Sequence, residues 1–211
     1  MKIIERNLTK FLLGLGNSDQ ARKWLVANQS IRGVCFIGRS NVGKSSIINS
    51  LFGNNIAKVS NTPGKTREIN IFNFSIYDPE TQEKTKRYFF DLPGYGYAKI
   101  SKERIKEWNT LMETFFKYAP PGLLMANLRD SRHEAQDSDL RFLEFLKSYD
   151  RDYFFILNKI DKLKKQKDRS LLAKKIKNLK KESNGLKYFK TSAETKEGIP
   201  ELEAYVIESS L

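Results

Sequence analysis
Cysteine is almost missing from this chain: Cys35 is the only one among 211 residues. A disulfide within the chain is thereby excluded, and a reducing compartment fits. Cys35 sits in an apolar run and reads as a small buried hydrophobe, not a reactive thiol. Histidine is equally scarce. His133 stands alone in a loop after Asp130, a position that suits a structural or RNA-facing role better than a catalytic one. No apolar stretch reaches the roughly 18 residues needed to span a bilayer. Met1-Lys2-Ile3-Ile4-Glu5-Arg6 lacks the long apolar core of a secretion signal. Internal repeats and low-complexity linkers are missing too. These absences predict a cytoplasmic protein. The length suits one domain, residues 1–211, with a sizeable core and a short N-terminal helical extension.

What the chain does carry is a phosphate loop. Gly38-Arg39-Ser40-Asn41-Val42-Gly43-Lys44-Ser45 follows an apolar run, Val34 to Ile37, that reads as a buried strand. It opens into Ser46-Ile47-Ile48-Asn49-Ser50-Leu51, the first turns of a helix. Glycines let backbone N–H groups turn inward on a polyphosphate, and the helix N-terminus adds positive dipole. Lys44 reaches the β- and γ-phosphates in such a loop, and Ser45 places its hydroxyl on Mg²⁺.

The base is indicated further along. Asn158-Lys159-Ile160-Asp161 follows a second apolar run, Tyr153 to Leu157. The Asp161 carboxylate can accept from the ring N–H and the exocyclic amine of guanine together, a donor pair that adenine does not offer. Asn158 would tie this loop to the phosphate loop, and the Lys159 stem would cover one face of the ring. Thr191-Ser192-Ala193, after the last apolar segment, fits the loop whose backbone N–H meets the guanine carbonyl oxygen. Between these motifs stands Asp91-Leu92-Pro93-Gly94, straight after Tyr88-Phe89-Phe90. Asp91 would hold Mg²⁺ through water and the Gly94 N–H would sense the γ-phosphate, so this loop can move when that phosphate leaves. Upstream, Gly64-Lys65-Thr66-Arg67-Glu68 supplies Thr66, chosen over Thr62 to complete the Mg²⁺ shell because it lies closer to the following strand, Ile69 to Ile76.

These elements come in the order of a small GTPase domain. The phosphate loop with Ser46, the Asn61-Thr62-Pro63-Gly64-Lys65-Thr66 segment, Asp91 to Ala98 with its Tyr95-Gly96-Tyr97-Ala98 continuation, and the Leu128-Arg129-Asp130-Ser131-Arg132-His133 stretch resemble the EngB (YihA/YsxC) family. That family lies within the TrmE-Era-EngA-EngB-Septin-like GTPases. The resemblance covers residues 10–208. It implies a monomeric GTP-binding protein, needed for growth or cell division, that acts in assembly of the large ribosomal subunit. Two positions depart from the family pattern. Asn158 stands where Thr is more frequent, and Arg67 stands in place of Gln and makes the switch more basic.

Strand and helix patterns alternate along the chain. The expected fold is a three-layer α/β P-loop GTPase domain. Its sheet is mainly parallel and six-stranded, with one antiparallel edge strand and helices on both faces. The antiparallel strand comes from a hairpin of Ile69–Ile76 and Lys86–Phe90 through a polar turn with Asp78-Pro79. Asn17-Ser18-Asp19 caps a helix over Gln20–Ala27. Helical spacing marks core stripes at Ile105, Trp108, Met112 and Phe115, and at Leu140, Leu143 and Leu146. The tail after Ala193 leaves no room for an appended RNA-binding domain.

Acidic residues are outnumbered, 25 to 38, and the excess is uneven. From Lys159 to Lys190 there are 13 Lys and Arg against 3 Asp and Glu, a net of +10 out of +13. Leu171, Leu172, Ile176 and Leu179 form a core stripe there, with Lys174, Lys175, Lys177, Lys180 and Lys181 on the wet side. Such density suits a polyanion such as rRNA bound by counterion release; a merely solvated lysine-rich face is the other reading. No exposed apolar anchor accompanies the charge, so a membrane surface is disfavoured.

Two functions from different classes remain open. One is a GTP-hydrolysing switch in large-subunit assembly; the other is a GTP/GDP-sensing adaptor for a protein partner, with incidental hydrolysis. Tyr95 occupies the place where many GTPases put a water-orienting glutamine, which predicts slow intrinsic turnover. Lys44 is a candidate catalytic residue. Asn41 joins it if it ligates a K⁺ ion beside the phosphates; otherwise Asn41 caps the loop by hydrogen bonds.

Overall fold
The computed structural model describes residues 1–57, 68–96, 101–182 and 187–211, with the backbone alone for 180–182. Thr62, Gly64, Lys65, Thr66, Arg67, Tyr97 and Ala98, and the side chains of Lys180 and Lys181, lie outside the described residues. The described elements run β1 (Ile3–Ile4), β2 (Lys10–Leu15), α1 (Ser18–Ala27), β3 (Arg32–Gly38), α2 (Lys44–Phe52), β4 (Ile69–Tyr77), β5 (Lys84–Asp91) and α3 (Lys102–Tyr118). They continue with β6 (Gly122–Asp130), α4 (Asp137–Lys147), β7 (Tyr153–Asn158), α5 (Gln166–Glu182), β8 (Tyr188–Lys190) and α6 (Ile199–Ser210).

One sheet takes in all of these strands, in the order β1-β4-β5-β3-β6-β7-β8, with β2 also paired to β4. β3 pairs in parallel with β5 and β6, and β7 in parallel with β6 and β8. β4 alone runs the other way, joined to β5 by the expected hairpin. The mainly parallel sheet with helices on both faces therefore stands. Two details differ. The sheet has eight strands, not six, and β4 is not its edge, because β1 and β2 pair antiparallel along β4's outer side. The N-terminal segment thus contributes strands as well as a helix. The physical reason is the apolar outer flank of β4, which Leu13 and Leu15 of β2 help to close over Ile69 and Ile71.

β3 shows how the sequence builds the layers. Its side chains alternate: Cys35 and Ile37 face a core with α1, α3, α4 and α5, while Val34 and Phe36 face one with α2 and α6. All four are fully buried, Cys35 included. The second core is aromatic. Phe89 stacks between Phe52 and Phe72 with ring centroids 4.2 and 4.5 Å away. In α1, Asn17 caps the helix as expected, its side chain accepting from the Gln20 amide at 3.0 Å.

Two stripes slide from their expected positions. In α3, Met112 and Phe115 are buried, but Ile105 is exposed near the N-terminal end. In α4, Leu143 and Leu146 are buried while Leu140 is exposed; the buried residue of that turn is Asp139. Its carboxylate accepts from the Gln136 amide at 3.0 Å in a capping box, so this turn buries a polar anchor in place of Leu140.

Candidate functional site
The phosphate loop forms at the C-terminal end of β3, the central strand, where parallel sheets of this kind place their ligands. Asn41 and Gly43 both adopt positive φ, 65° and 93°. At Gly43 glycine is required twice over, since a Cβ there would lie 2.3 Å from Asn158 Nδ2. Gly43 caps α2, whose first turn holds Lys44, Ser45 and Ser46, so the unpaired amides of that turn face the loop. Lys44 pairs with Asp91, and both side chains are nearly buried. That ion pair forms because Asp91 ends β5 directly beside Phe36 of β3.

The Asp91-Leu92-Pro93-Gly94 segment packs against the phosphate loop. The Leu92 amide donates to the Phe36 carbonyl at 3.1 Å, the Tyr95 amide to the Gly38 carbonyl at 3.3 Å, and the Ser40 amide to the Tyr95 carbonyl at 3.2 Å. A Cβ on Gly94 would come within 3.1 Å of the Ser40 nitrogen. Tyr95 turns its side chain into the core. Its ring stacks on Phe142 at 4.5 Å, and its hydroxyl donates to Asp139 Oδ1 at 3.0 Å. Burial, with the neighbouring Asp139 carboxylate, pushes the phenol pKa far above its ordinary value, so Tyr95 is a neutral donor fixed in the core. Arg39 turns the same way, with Nε 3.7 Å from Asp139 Oδ2. Glu68 lies beside Gly14 and Gly16.

The Asn158–Asp161 and Thr191–Ala193 segments meet the phosphate loop from the other side. Asn158 ends β7 and is buried. Its Nδ2 donates to the Val42 carbonyl at 3.0 Å, and its Oδ1 accepts from the Ala193 amide at 3.3 Å, so one side chain joins three segments. Lys159 adopts φ 68° and sends its ammonium back to the Asn41 carbonyl at 2.5 Å and to Asp130 Oδ2 at 3.0 Å. Ile160 donates its amide to the Thr191 carbonyl at 3.2 Å, and the Thr191 amide to the Leu157 carbonyl at 2.9 Å. Asp161 accepts from the Ser192 hydroxyl at 2.7 Å and pairs with Lys162 at 3.0 Å. Burial raises its pKa, but the Ser192 hydroxyl and the Lys162 ammonium outweigh that and hold the carboxyl below its usual range. An ionised Asp161 is what a pair of guanine donors requires.

The donor set fits Mg²⁺. Ser45 offers a hydroxyl and Asp91 a carboxylate, hard oxygen ligands of the kind that ion prefers. Among the described residues no group of three or more His, Cys, Asp or Glu is placed to hold a metal, so the nucleotide's own oxygens would supply the rest.

One position of the basic run is corrected. Lys175 is not on the wet side of α5: it is 8% exposed, and its ammonium donates to the carbonyls of Asp130, at 2.8 Å, and His133. Lys174 and Lys177 are exposed as expected. Sequence reasoning also missed Asp130 and Asp139. Their signal was there, in the run of charged residues that ends β6 and in the acid at the third position of α4, but neither belongs to a nucleotide motif. Among the described residues no helix is long and apolar enough to cross a membrane.

Comparison with known proteins bears on the family and the fold. A family model described as a 50S ribosome-binding GTPase matches residues 33–159. The probable GTP-binding protein EngB of Thermotoga petrophila is 43% identical over 172 residues, covering 80% of this chain and 82% of the relative. That of Prosthecochloris aestuarii is 42% identical over 179 residues, covering 83% and 88%. Among solved structures, Aquifex aeolicus Era bound to GDP and AlF4⁻ superposes with a TM-score of 0.67 at 22% identity, over 84% of this chain and 56% of that one. The crystal structure of a probable GTP-binding protein engB gives 0.57 at 24% identity, over 83% and 97%. At those identities the structures speak to the fold.

Proposed function
The chain belongs to the EngB family of GTP-binding GTPases, and from that premise we propose that it is a GTP-driven switch in assembly of the large ribosomal subunit, needed for growth and cell division. It acts as a cytoplasmic monomer of one domain. The observation that carries the reading is the joint made by Asn158 and Lys159. These two side chains fasten the base-reading loop to the phosphate loop, so one nucleotide can be gripped at both ends. In the proposed site, Asp161 reads the guanine edge, Lys159 covers the ring, and the amides of residues 39–46 hold the phosphates. Lys44 leaves Asp91 for the β- and γ-phosphates. Ser45, Thr66 and, through water, Asp91 would hold Mg²⁺, which would neutralise charge on the phosphates. The ribosome-binding character of the matching family supports large-subunit rRNA as the partner, with the basic region 159–190 as the contact.

Hydrolysis in this site lacks a side-chain water-positioner at residue 95, because Tyr95 is committed to Phe142 and Asp139. Asn41, exposed on the loop, would hold a K⁺ ion if one binds there, and that ion would supply the missing charge stabilisation; otherwise Asn41 caps the loop. Single-turnover GTP hydrolysis tests both parts. Large ribosomal subunits should raise the rate, and K⁺ in place of Na⁺ at constant ionic strength should raise it several-fold. Asn41→Ala should erase the cation difference while leaving GDP binding largely intact. A rate indifferent to ribosomal subunits would favour the GTP/GDP-sensing adaptor. Equal rates in K⁺ and Na⁺, with subunits present, would leave the subunit itself as the source of the missing group.

A further inference from the structure
The Arg129-Asp130-Ser131-Arg132 stretch at the end of β6 has no part in the nucleotide motifs, yet its aspartate touches one of them. Asp130 is buried, 7% exposed. Its Oδ1 accepts from the Arg132 amide and from Arg132 Nε, each at 3.0 Å, and its Oδ2 accepts from Arg132 Nη2 at 2.8 Å. The same Oδ2 accepts from Lys159 Nζ at 3.0 Å, and that ammonium also reaches the Asn41 carbonyl of the phosphate loop. Behind the strand, Lys175 holds the Asp130 carbonyl at 2.8 Å. Backbone, salt bridge and loop contacts therefore leave Asp130 one position.

We infer that Asp130 is a positioning residue for nucleotide binding: its carboxylate pins the Lys159 ammonium between β6 and the phosphate loop and so sets the methylene stem as a rigid platform for the base. A free lysine carries considerable rotamer entropy, and a side chain ordered before the ligand arrives does not lose that freedom on binding. Lys159 Nζ is fixed at two points and its backbone holds φ 68°, so the stem has little left to order. The carboxylate is also the right group for the task. Burial raises its pKa, but the Arg132 guanidinium and amide, together with Lys159, depress it far more, so it stays ionised and accepts from both cations.

The inference rests on the reading that Lys159 lies against the base, and a mutant cycle separates the two. GDP affinity is measured by calorimetry for the parent, Asp130→Asn, Lys159→Ala and the double variant, with thermal unfolding of each nucleotide-free protein alongside. Asp130→Asn should weaken GDP about ten-fold in the parent and less than two-fold in the Lys159→Ala background, the coupling expected of residues in direct contact. Arg132→Ala, which leaves the Asp130–Lys159 contact in place, should stay within two-fold of the parent. If Asp130→Asn yields no folded protein, Asp130→Glu is read in the same cycle, since it keeps the charge and displaces it by one methylene. Equal losses from Asp130→Asn in both backgrounds would overturn the link and make Asp130 a residue of the fold alone. A Lys159→Ala variant that binds GDP as the parent does would overturn the site reading itself, and the inference with it.

Discussion
Two buried polar side chains show what single residues contribute beyond the motifs. Tyr95 stands where a catalytic glutamine is common, and the structure turns it inward to Asp139. Tyr95→Phe removes that hydroxyl and leaves a buried carboxylate oxygen short of one donor. It should lower stability by about 1–3 kcal/mol, read by urea unfolding, while single-turnover hydrolysis stays within two-fold. A large fall in hydrolysis with unchanged stability would put Tyr95 in the chemistry after all. Lys175 makes a pH argument. Burial lowers its pKa to about 8, with Asp130, Asp139 and Glu134 favouring the charge and Arg129 opposing it. Below pH 8 the folded protein must keep a buried ammonium charged. Between about 8 and the ordinary lysine range near 10.4 the folded state has released that proton and the unfolded chain still holds it, so stability from this residue rises with pH. Relative to Lys175→Met, the parent should gain by up to about 1.4 kcal/mol per pH unit over that window. A difference that is flat from pH 7 to 10 would show an ordinary lysine.

At the scale of elements, the sequence was legible wherever a motif or a steep apolar run spoke. β3, β7 and the β4–β5 hairpin were readable because each is an apolar run closed by a polar loop, and Asn17 announced α1. β1 and β2 were not. Ile3-Ile4 spans two residues, and the six of β2 include three exposed or half-buried apolar side chains and a register shift between Phe11 and Leu13. Their pairing is written in β4 more than in themselves. The same holds at the candidate site: motif residues could be named from spacing, but the inward turn of Arg39 and Tyr95 depends on Asp139, 44 residues beyond Tyr95. The buried place of Lys175 depends on the carbonyls of Asp130 and His133, invisible in a lysine-rich run. Removing residues 1–16 tests the role given to the first two strands. The truncated protein should unfold at a lower temperature and aggregate through the bared edge of β4, with GDP affinity retained in the fraction that stays folded. An unchanged thermal midpoint would mean that β1 and β2 add nothing to the sheet.

The whole molecule is a lopsided cation, with most of its net charge carried by residues 159–190, which begin within the Asn158–Asp161 loop. Correcting Lys175 alters what that charge can do, because a lysine tied to two carbonyls cannot meet a phosphate. The exposed members include Lys164, Lys167, Lys174 and Lys177. Each phosphate neutralised on RNA releases counterions, so affinity falls linearly with salt on logarithmic axes, with a slope set by the number of contacts. Replacing Lys167, Lys174 and Lys177 with Glu should therefore weaken large-subunit binding and flatten that slope by about two to three units. GDP affinity should be untouched, since none of the three reaches the nucleotide loops. Lys175→Met serves as the internal contrast: it removes a charge from the same run but not from the surface, so it should leave the salt slope where it was. Subunit pelleting across a salt series, with the three proteins side by side, reads both effects. A slope unchanged by the triple replacement would return the lysines to a solvated face and move the ribosomal contact elsewhere on the molecule.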